Sequence, residues 1–283
     1  MVDDQVNGNF LFVYGVTNQL ELDVAFPVTF VETGAGTSPI TGGRALRDTA
    51  VRDLRFGFTY ALVPRLRMDP AKAGEEGGEG KSWSLAARMN IGAPTGDQTD
   101  FAGEHTAVFI PDLAADYRLA RLFLGASLGM RIRPVAEFAG ARIGTQITTG
   151  YGAGVDIVDD EKLSLLLEGR TYWTLATQHE TSQSAFGISS KEKSEGRTIL
   201  PSEWLLGVRS APWAGGDVSF YAGGGGPIPL GPDAITVPRF RFVLGATYAP
   251  TQRDTDHDGV PDRVDFCPNQ PGEKHGERPG CPP

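Results

Sequence analysis

Residues 54–62 read LRFGFTYAL, in which large apolar residues alternate with charged, polar or small ones. A repeat of two residues places successive side chains on opposite faces of an extended strand. Phe56, Phe58 and Tyr60 therefore share one apolar face, while Arg55 and Thr59 lie on the other face. The stretch predicts a β-strand that is apolar on one side and polar on the other.

The same pattern recurs from about residue 8 to residue 249 and predicts an all-β fold of about eleven antiparallel strands. Each strand spans about 10 to 13 residues, which is longer than the 5 to 6 residues of an average strand. The strands are expected near residues 8–16, 19–27, 51–62, 82–92, 106–118, 121–133, 143–157, 162–174, 199–212, 217–225 and 235–249.

Charged residues occupy the polar positions even in the middle of the strands. A soluble sandwich would turn these charges to water and join its apolar faces in a common core. A membrane barrel reverses this geometry and places its apolar face against lipid. Strand length and the mid-strand charges favour the up-and-down transmembrane barrel, in which the interior groups would form an ion-pair network or line a polar pore. These groups are Asp53, Arg55, Arg88, Asp112, Asp116, Arg118, Arg131, Arg133, Glu168, Arg170, Glu203, Arg209, Arg239 and Arg241.

The connections between predicted strands alternate between short and long. Outer-membrane barrels have short periplasmic turns and long extracellular loops, so the last strand is expected to descend to the periplasm. Residues 64–82 are the exception, because they form a long connection on the predicted periplasmic side. Since bacterial barrels have even strand numbers, we expect about twelve strands in the complete protein, with one strand and a signal peptide upstream of Met1.

Several aromatic residues fall at the predicted periplasmic ends of the strands. Amphipathic rings favour the membrane–water interface, so these residues are expected to form one girdle, although each could also be an ordinary strand aromatic. They are Tyr14, Tyr60, Trp83, Tyr117, Trp213 and Tyr248.

A second signal begins after the barrel region of residues 1–250. Residues 254–265 read DTDHDGVPDRVD, with carboxylates at the first, third, fifth, ninth and twelfth positions and Gly259 at the sixth. Alternating oxygen ligands can wrap around Ca²⁺, with the Val260 carbonyl in the shell and glycine at the turn. The predicted ligands are Asp254, Asp256, Asp258, Val260, Asp262 and Asp265. Pro261 and the Pro/Gly-rich stretch that follows argue against the helices of an EF-hand. An acidic linker without an ion is the alternative.

Cys267 and Cys281 are the only cysteines in the chain. A single disulfide that closes a short loop is the economical interpretation, and it implies an oxidising compartment. Two free thiols are the alternative.

Residues 254–282 resemble a thrombospondin type 3 repeat of the kind that links barrel and periplasmic domain in bacterial OmpA-family proteins. The resemblance rests on the aspartates, on Gly259, and on the Cys267-Pro268 and Gly280-Cys281-Pro282 steps. It implies a calcium-binding linker over residues 251–283.

Residues 8–250 are similar to the N-terminal region of larger, myxobacterial-type OmpA-family proteins. The phrases that resemble the family are YGVTNQLELDVAFP, RDLRFGFTYAL, GAPTGDQTDFAGE and GGGGPIPLGPDAITVPRFRFVLGATY. The resemblance implies a peptidoglycan-binding domain beyond Pro283, so binding to peptidoglycan is not assigned to these residues.

Composition excludes other classes. A net charge of −9 argues against nucleic-acid binding, and no apolar run approaches the roughly 18 residues of a transmembrane helix. Residues 125–129 match the Gly-x-Ser-x-Gly pattern of a nucleophile elbow around Ser127. An elbow requires a sharp turn from strand to helix, whereas strand alternation continues through Ser127.

We therefore expect a non-enzymatic, structural barrel in the outer membrane, with a calcium-stiffened linker in the periplasm. A channel for small polar solutes and a calcium-dependent adhesion module are the alternatives.

Overall fold

The chain is all-β in a computed structural model. The structure describes residues 3–34, 46–64, 82–98, 102–138, 141–158, 162–176, 179–181, 192–194, 199–213, 217–230 and 238–250, and in the tail 255–256, 258–260, 262, 265–273 and 278–282. The strands are Asp4–Gly15 (β1), Leu20–Thr33 (β2), Ala50–Val51 (β3), Arg55–Val63 (β4), Trp83–Gly92 (β5), Val108–Leu119 (β6), Leu122–Arg131 (β7), Ala136–Phe138 (β8), Ala141–Ile143 (β9), Gln146–Val158 (β10), Leu163–Thr174 (β11), His179–Thr181 (β12), Glu192–Ser194 (β13), Ser202–Trp213 (β14), Val218–Pro227 (β15) and Arg241–Tyr248 (β16).

One 12-stranded sheet contains the long strands in the order β1-β2-β4-β5-β6-β7-β10-β11-β14-β15-β16, with the short β3 beside β2. Each neighbouring pair is antiparallel, so the sheet is an up-and-down meander. Each of its eleven consecutive strands overlaps one of the predicted strands. The sheet is not closed, because β1 and β16 are its two ends and do not pair with each other.

The register aligns the predicted faces across the sheet. Leu113 of β6 lies opposite Leu128 of β7, and Leu167 of β11 lies opposite Leu206 of β14. We call the face of the sheet that carries these four leucines the apolar face. The intervening positions form the polar face, where Arg88 of β5 lies opposite Asp112 of β6. Because side chains alternate along a strand, this register separates apolar from charged residues over much of the sheet. The register shifts at four bulges, in the pairs β1–β2, β4–β5, β10–β11 and β14–β15.

The short turns all lie along one edge of the sheet, and every long connection except the one between β4 and β5 lies along the other edge. The turn after β1 is closed by backbone hydrogen bonds from Val16 and Thr17 to the Leu20 carbonyl, at 2.8 and 3.1 Å. The turn between β6 and β7 places Ala120 at a φ of 50°. The chain therefore leaves β16 at the short-turn edge, as predicted. Most of the 64–82 connection lies outside the described residues.

Most strand boundaries differ from the predictions by a few residues, and the stretch predicted as one strand at 51–62 forms β3 and β4, with Asp53 between them. β2 continues past Pro27 to Thr33, because alternation persists there and the Pro27 carbonyl still accepts a hydrogen bond from Arg52 N at 3.1 Å. The strand predicted at 143–157 begins only at Gln146, since Ala141–Ile143 pairs with Ala136–Phe138 as the separate β8–β9 hairpin. β16 begins at Arg241, so Arg239 precedes the strand and is not part of its polar face.

Candidate functional site

The apolar face is exposed rather than packed against a second layer. Leu128 is 58% exposed, Leu206 is 46% exposed and Leu244 is 71% exposed. Among the described residues, the extensive contacts between elements all join hydrogen-bonded neighbours, so no second sheet covers this face. The buried apolar residues of the described chain are four alanines and two valines. An exposed apolar surface of this extent marks an interaction site.

Five of the six predicted girdle aromatics are exposed in the structure. Trp83 and Tyr117 are direct cross-strand neighbours on β5 and β6, with relative exposures of 47% and 43%. Tyr14, Tyr60 and Tyr248 are also exposed, and all five lie toward the short-turn edge. The side chain of Trp213 lies outside what the structure describes. Aromatic side chains at one end of an apolar band are typical of a membrane interface.

The polar face contains cross-strand ion pairs. Arg88 Nε donates to Asp112 Oδ1 at 2.6 Å, and Arg118 Nη1 donates to Asp156 Oδ2 at 3.0 Å. Asp156 is 5% exposed as a residue, and Ser164 Oγ donates to its other oxygen at 2.7 Å. Burying a carboxylate in this way requires compensating partners, which come from the adjacent strand β11 and from β6, two strands away in the sheet.

Glu203 joins three strands of the polar face. Its carboxylate accepts a hydrogen bond from Arg170 of β11 and forms an ion pair with Arg241 of β16 at 3.1 Å. Glu203 itself lies on β14 and is 8% exposed. The charges of the polar face are therefore joined by ion pairs across strands among the described residues. That these pairs fill the lumen of a barrel stays a prediction.

Glycines leave room for these charged side chains. Gly125 and Gly129 of β7 lie opposite Asp116 and Asp112 of β6. A Cβ built on Gly129 would lie 2.9 Å from the Asp112 Cβ, whereas one built on Gly125 would meet nothing within 4 Å. The polar face thus alternates charged groups with positions that lack a side chain.

The aspartate loop brings together three of its predicted ligands. Asp256, Asp258 and Asp265 each offer one carboxylate oxygen, and these oxygens all lie within 4.8 Å of one another. Gly259 has a φ of 86°, as expected for the turning residue. Asp258 is held by the backbone, since its Oδ1 accepts from Val260 N at 2.7 Å.

A fourth predicted ligand, Asp262, does not belong to this group. The Asp262 carboxylate accepts hydrogen bonds from Thr255 N and Thr255 Oγ1, both at 2.7 Å, and thereby closes the loop. Val260 is buried, at 6% exposure. Asp254 lies outside the described residues.

The disulfide-closed segment folds back onto the loop. The sulfurs of Cys267 and Cys281 are bonded at 2.01 Å, which confirms the predicted pairing. Gly272 N donates to Asp258 Oδ2 at 2.9 Å, and Cys267 N donates to Asp265 Oδ1 at 2.7 Å. Gly280, with a φ of 83°, lies so close to Asp265 that an added Cβ would fall 1.8 Å from Oδ1. The bridge thus holds the second half of the tail against the carboxylates.

The geometry fits a calcium ion. Ligand oxygens lie 2.3 to 2.6 Å from Ca²⁺, so two oxygens on one ion can be at most about 5 Å apart. The three carboxylate oxygens meet this limit. Asp265 Oδ2 is also buried and has no hydrogen-bond partner among the described residues. A buried carboxylate oxygen is costly without a partner, and a cation would supply one.

Sequence reasoning missed two contributors to this site. Gly272 supplies a backbone donor to Asp258, and Gly280 provides the space in which Asp265 lies. The closing Gly-Cys-Pro step was the available signal for Gly280. Nothing in the spacing of the sequence indicated Gly272, because its contact depends on how the disulfide loop folds back.

Comparisons with known proteins do not assign a family to the chain. Neither the family models nor the curated proteins include a match. In the described part of the chain, no helix has the length and apolar character that crossing a bilayer requires.

Proposed function

We propose that this chain is a structural outer-membrane β-barrel whose calcium-stiffened tail extends into the periplasm. The observation that best supports this proposal is the inverted distribution of residues, with the apolar face exposed and Glu203 and Asp156 buried. A hydrocarbon environment satisfies such an apolar face, and polar groups then line the interior. The exposed aromatic residues near the short-turn edge and the resemblance to OmpA-family proteins also support the proposal.

We propose that the sheet closes into a barrel through one further strand, because strand parity favours this arrangement. The path of the sheet has eleven alternating strands, so β1 and β16 run in the same direction. Pairing them directly would create a parallel pair, whereas one further strand between them would be antiparallel to both. A twelve-stranded barrel of this kind has the even number typical of bacterial outer membranes. Closure would also satisfy the backbone groups at both ends of the sheet.

A soluble adhesion module fits these observations less well. A sandwich joins two sheets through their apolar faces at about 10 Å. The described residues form one large sheet and two short hairpins, and the apolar face has no such covering.

The barrel proposal is tested by refolding with and without an amphiphile. We expect the urea-unfolded protein to gain β-sheet circular dichroism and a heat-sensitive shift on SDS gels only when it is diluted into detergent micelles. A monodisperse, folded monomer in detergent-free buffer would exclude the proposal. Aggregation in buffer combined with folding in micelles is the outcome that supports it.

The tail is proposed to be a periplasmic calcium-binding linker that spaces a downstream domain from the membrane. Asp256, Asp258 and Asp265 would hold the ion, because like charges so close together repel one another without a cation. A bound Ca²⁺ would neutralise these carboxylates and so stiffen the segment that the disulfide already closes.

Calcium binding can be measured by calorimetry on the full protein in detergent. We expect binding at millimolar or lower Ca²⁺ concentration, and we expect Asp265→Asn to weaken it roughly tenfold or more, since fewer charged ligands lower affinity. Glu273→Gln, an exposed change in the same tail, is the matched control and should alter affinity by less than about twofold. If the protein binds no Ca²⁺ at several millimolar, the linker proposal is wrong while the barrel proposal stands.

Passive diffusion of small polar solutes is the second candidate function. The polar face favours it, because water and ions could follow its charged groups through a closed barrel. Single-channel recording in planar bilayers separates an open lumen from one that the ion-pair network fills.

A further inference from the structure

A groove runs over β15 on the apolar face, near the long-connection edge of the sheet, opposite the short turns. The β15 residues on this face are Val218, Phe220, Ala222, Gly224 and Gly226, in order toward that edge. The strand therefore has large side chains at its short-turn end and none at its other end. The space above Gly224 and Gly226 forms a groove of about 460 Å³, which we call the β15 groove.

Apolar side chains on both sides of β15 form the walls of the groove. On β14, Trp204 lies opposite Gly226, and Leu206 lies opposite Gly224. On the other side lies the Phe240 ring, since a Cβ built on Gly224 would lie 3.5 Å from Phe240 Cζ. Trp204, Leu206 and Phe240 are all exposed. The described part of the chain therefore leaves the groove open.

The width of the groove matches one hydrocarbon chain. β14 and β16 both pair with β15, so their backbones lie about 10 Å apart. A polymethylene chain in van der Waals contact with both walls requires about 8 Å, which is two carbon–carbon contact distances of about 4 Å. A flat apolar surface contacts such a chain from one side only, whereas the groove adds a wall on each side.

An arginine lines the long-connection end of the groove. A Cβ built on Gly226, opposite Trp204, would lie 3.0 Å from the carbonyl oxygen of Arg239. Neither the Arg239 guanidinium nor the Trp204 indole N–H has a hydrogen-bond or ion-pair partner among the described residues. Arg241, by contrast, is paired with Glu203 on the polar face. Arg239 therefore adds a positive charge without a partner to an otherwise apolar groove.

We propose that the β15 groove binds one membrane lipid with an acyl chain and a negatively charged phosphate headgroup. The acyl chain lies over Gly224, between Leu206 and Phe240, and the Arg239 guanidinium binds the phosphate through charge-assisted hydrogen bonds. Trp204 fits this arrangement, because indole rings favour the interface between hydrocarbon and water. The inference rests on the proposed barrel, since in a barrel this face contacts lipid.

A second copy of the chain fits the groove less well. It would bring its own apolar face to the groove and leave Arg239 without a negative partner, and a charge buried in this way is costly. A lipid phosphate supplies that partner and stays in contact with water. The whole chain carries a net charge of −9, so a preference for anionic lipid requires a local positive group such as Arg239.

The test is tryptophan fluorescence of the full-length protein, folded in detergent micelles and titrated with lipid that is brominated on its acyl chain. Bromine quenches an indole ring that the chain contacts. The background variant Trp83→Phe/Trp173→Phe/Trp213→Phe keeps Trp204 as its single tryptophan. We expect brominated phosphatidic acid to quench Trp204 saturably, at a mole fraction roughly fivefold or more below that required for brominated phosphatidylcholine, because Arg239 attracts the anionic headgroup.

Filling the groove should block the lipid. Gly224→Leu places its Cβ at an ordinary contact distance, 3.5 Å from Phe240 Cζ. We expect half-maximal quenching to require roughly tenfold more phosphatidic acid, because at least two methylene groups of the acyl chain lose their contacts. Gly245→Leu is the matched control on the polar face of β16, where a Cβ would lie 3.8 Å from Tyr221 Cβ, and it should leave the titration unchanged.

Removing the arginine should abolish the choice between lipids. In Arg239→Gln we expect phosphatidic acid and phosphatidylcholine to quench Trp204 at mole fractions that agree within about twofold. Arg209→Gln, on the polar face of β14 toward the short-turn edge, is the matched control and should keep the preference for phosphatidic acid. Circular dichroism of each variant establishes that it is folded.

Equal quenching by the two lipids in the background variant would overturn the proposal, and so would an unchanged titration in Gly224→Leu. A dimer in micelles that Gly224→Leu dissociates, as measured by light scattering, would identify a second copy as the occupant and would also overturn it. If the protein folds in micelles without these lipid effects, the lipid site is wrong and the barrel proposal stands. Failure to fold in micelles would exclude both.

Discussion

Replacing Leu128 with arginine is expected to destabilise the bilayer-inserted protein by about 2 to 4 kcal/mol. Leu128 lies toward the middle of β7 on the apolar face, where it is 58% exposed between Leu113 and Thr149 of the adjacent strands. In a bilayer this position would face hydrocarbon, and a guanidinium there loses its hydration. Urea titration of the protein folded in lipid vesicles measures the loss.

Gly125→Arg is the matched control on the same strand. It adds the same side chain to the polar face, where a Cβ at Gly125 meets nothing within 4 Å and Asp116 lies opposite. We expect its free energy of unfolding to stay within about 1 kcal/mol of the wild-type value, as for an exposed ion pair. Equal losses in both variants would contradict the assignment of the two faces, and so would a smaller loss in Leu128→Arg.

Removal of the disulfide is expected to have the second-largest effect. Cys267 and Cys281 are 14 residues apart, and closing a loop of that size stabilises a folded segment by about 3 kcal/mol. The Cys267→Ser/Cys281→Ser variant should therefore bind Ca²⁺ roughly tenfold to a hundredfold more weakly, because Asp258 and Asp265 lose the segment that holds them. Calorimetry with Ca²⁺ on the full protein in detergent measures this change.

Reduction of the wild-type protein provides an independent control for the double variant. Treatment with a reductant should lower Ca²⁺ affinity to the value of the double serine variant and have no effect on that variant. The β-sheet circular dichroism should stay unchanged in both, because the bridge lies beyond β16. An unchanged Ca²⁺ affinity in the double variant would show that the disulfide does not shape the loop.

The strands of the sheet could be predicted from the sequence because alternation is local information. Each residue in 54–62 reveals its face by its own polarity, and the register then aligns the faces across strands. The extension of β2 past Pro27 was missed, since proline usually marks an edge or an end of a strand. Whether the two ends of the sheet meet depends on the number and direction of all its strands. The alternation within one strand carries no information about either.

The candidate sites were predictable to different degrees. Spacing identified Asp256, Asp258 and Asp265, because ligands on alternating residues are a property of the chain itself. Spacing also predicted Asp262 as a calcium ligand. In the structure its carboxylate accepts hydrogen bonds from Thr255, and the spacing of the sequence does not indicate this contact. The contact of Glu104 with Arg131 and Arg133 spans more than 25 residues, at separations of 27 and 29, and no local pattern indicates such a contact.

The most direct test of the central claim is a cysteine-labelling scan of β7. Both native cysteines are bonded to each other, so single cysteines introduced at residues 124–130 can be spin-labelled selectively. In lipid vesicles we expect labels at Leu124, Ala126, Leu128 and Met130 to collide mainly with oxygen dissolved in the bilayer. Labels at residues 125, 127 and 129 should collide mainly with a water-soluble nickel complex. Equal access of the nickel complex to both sets would contradict the proposal that the apolar face contacts lipid.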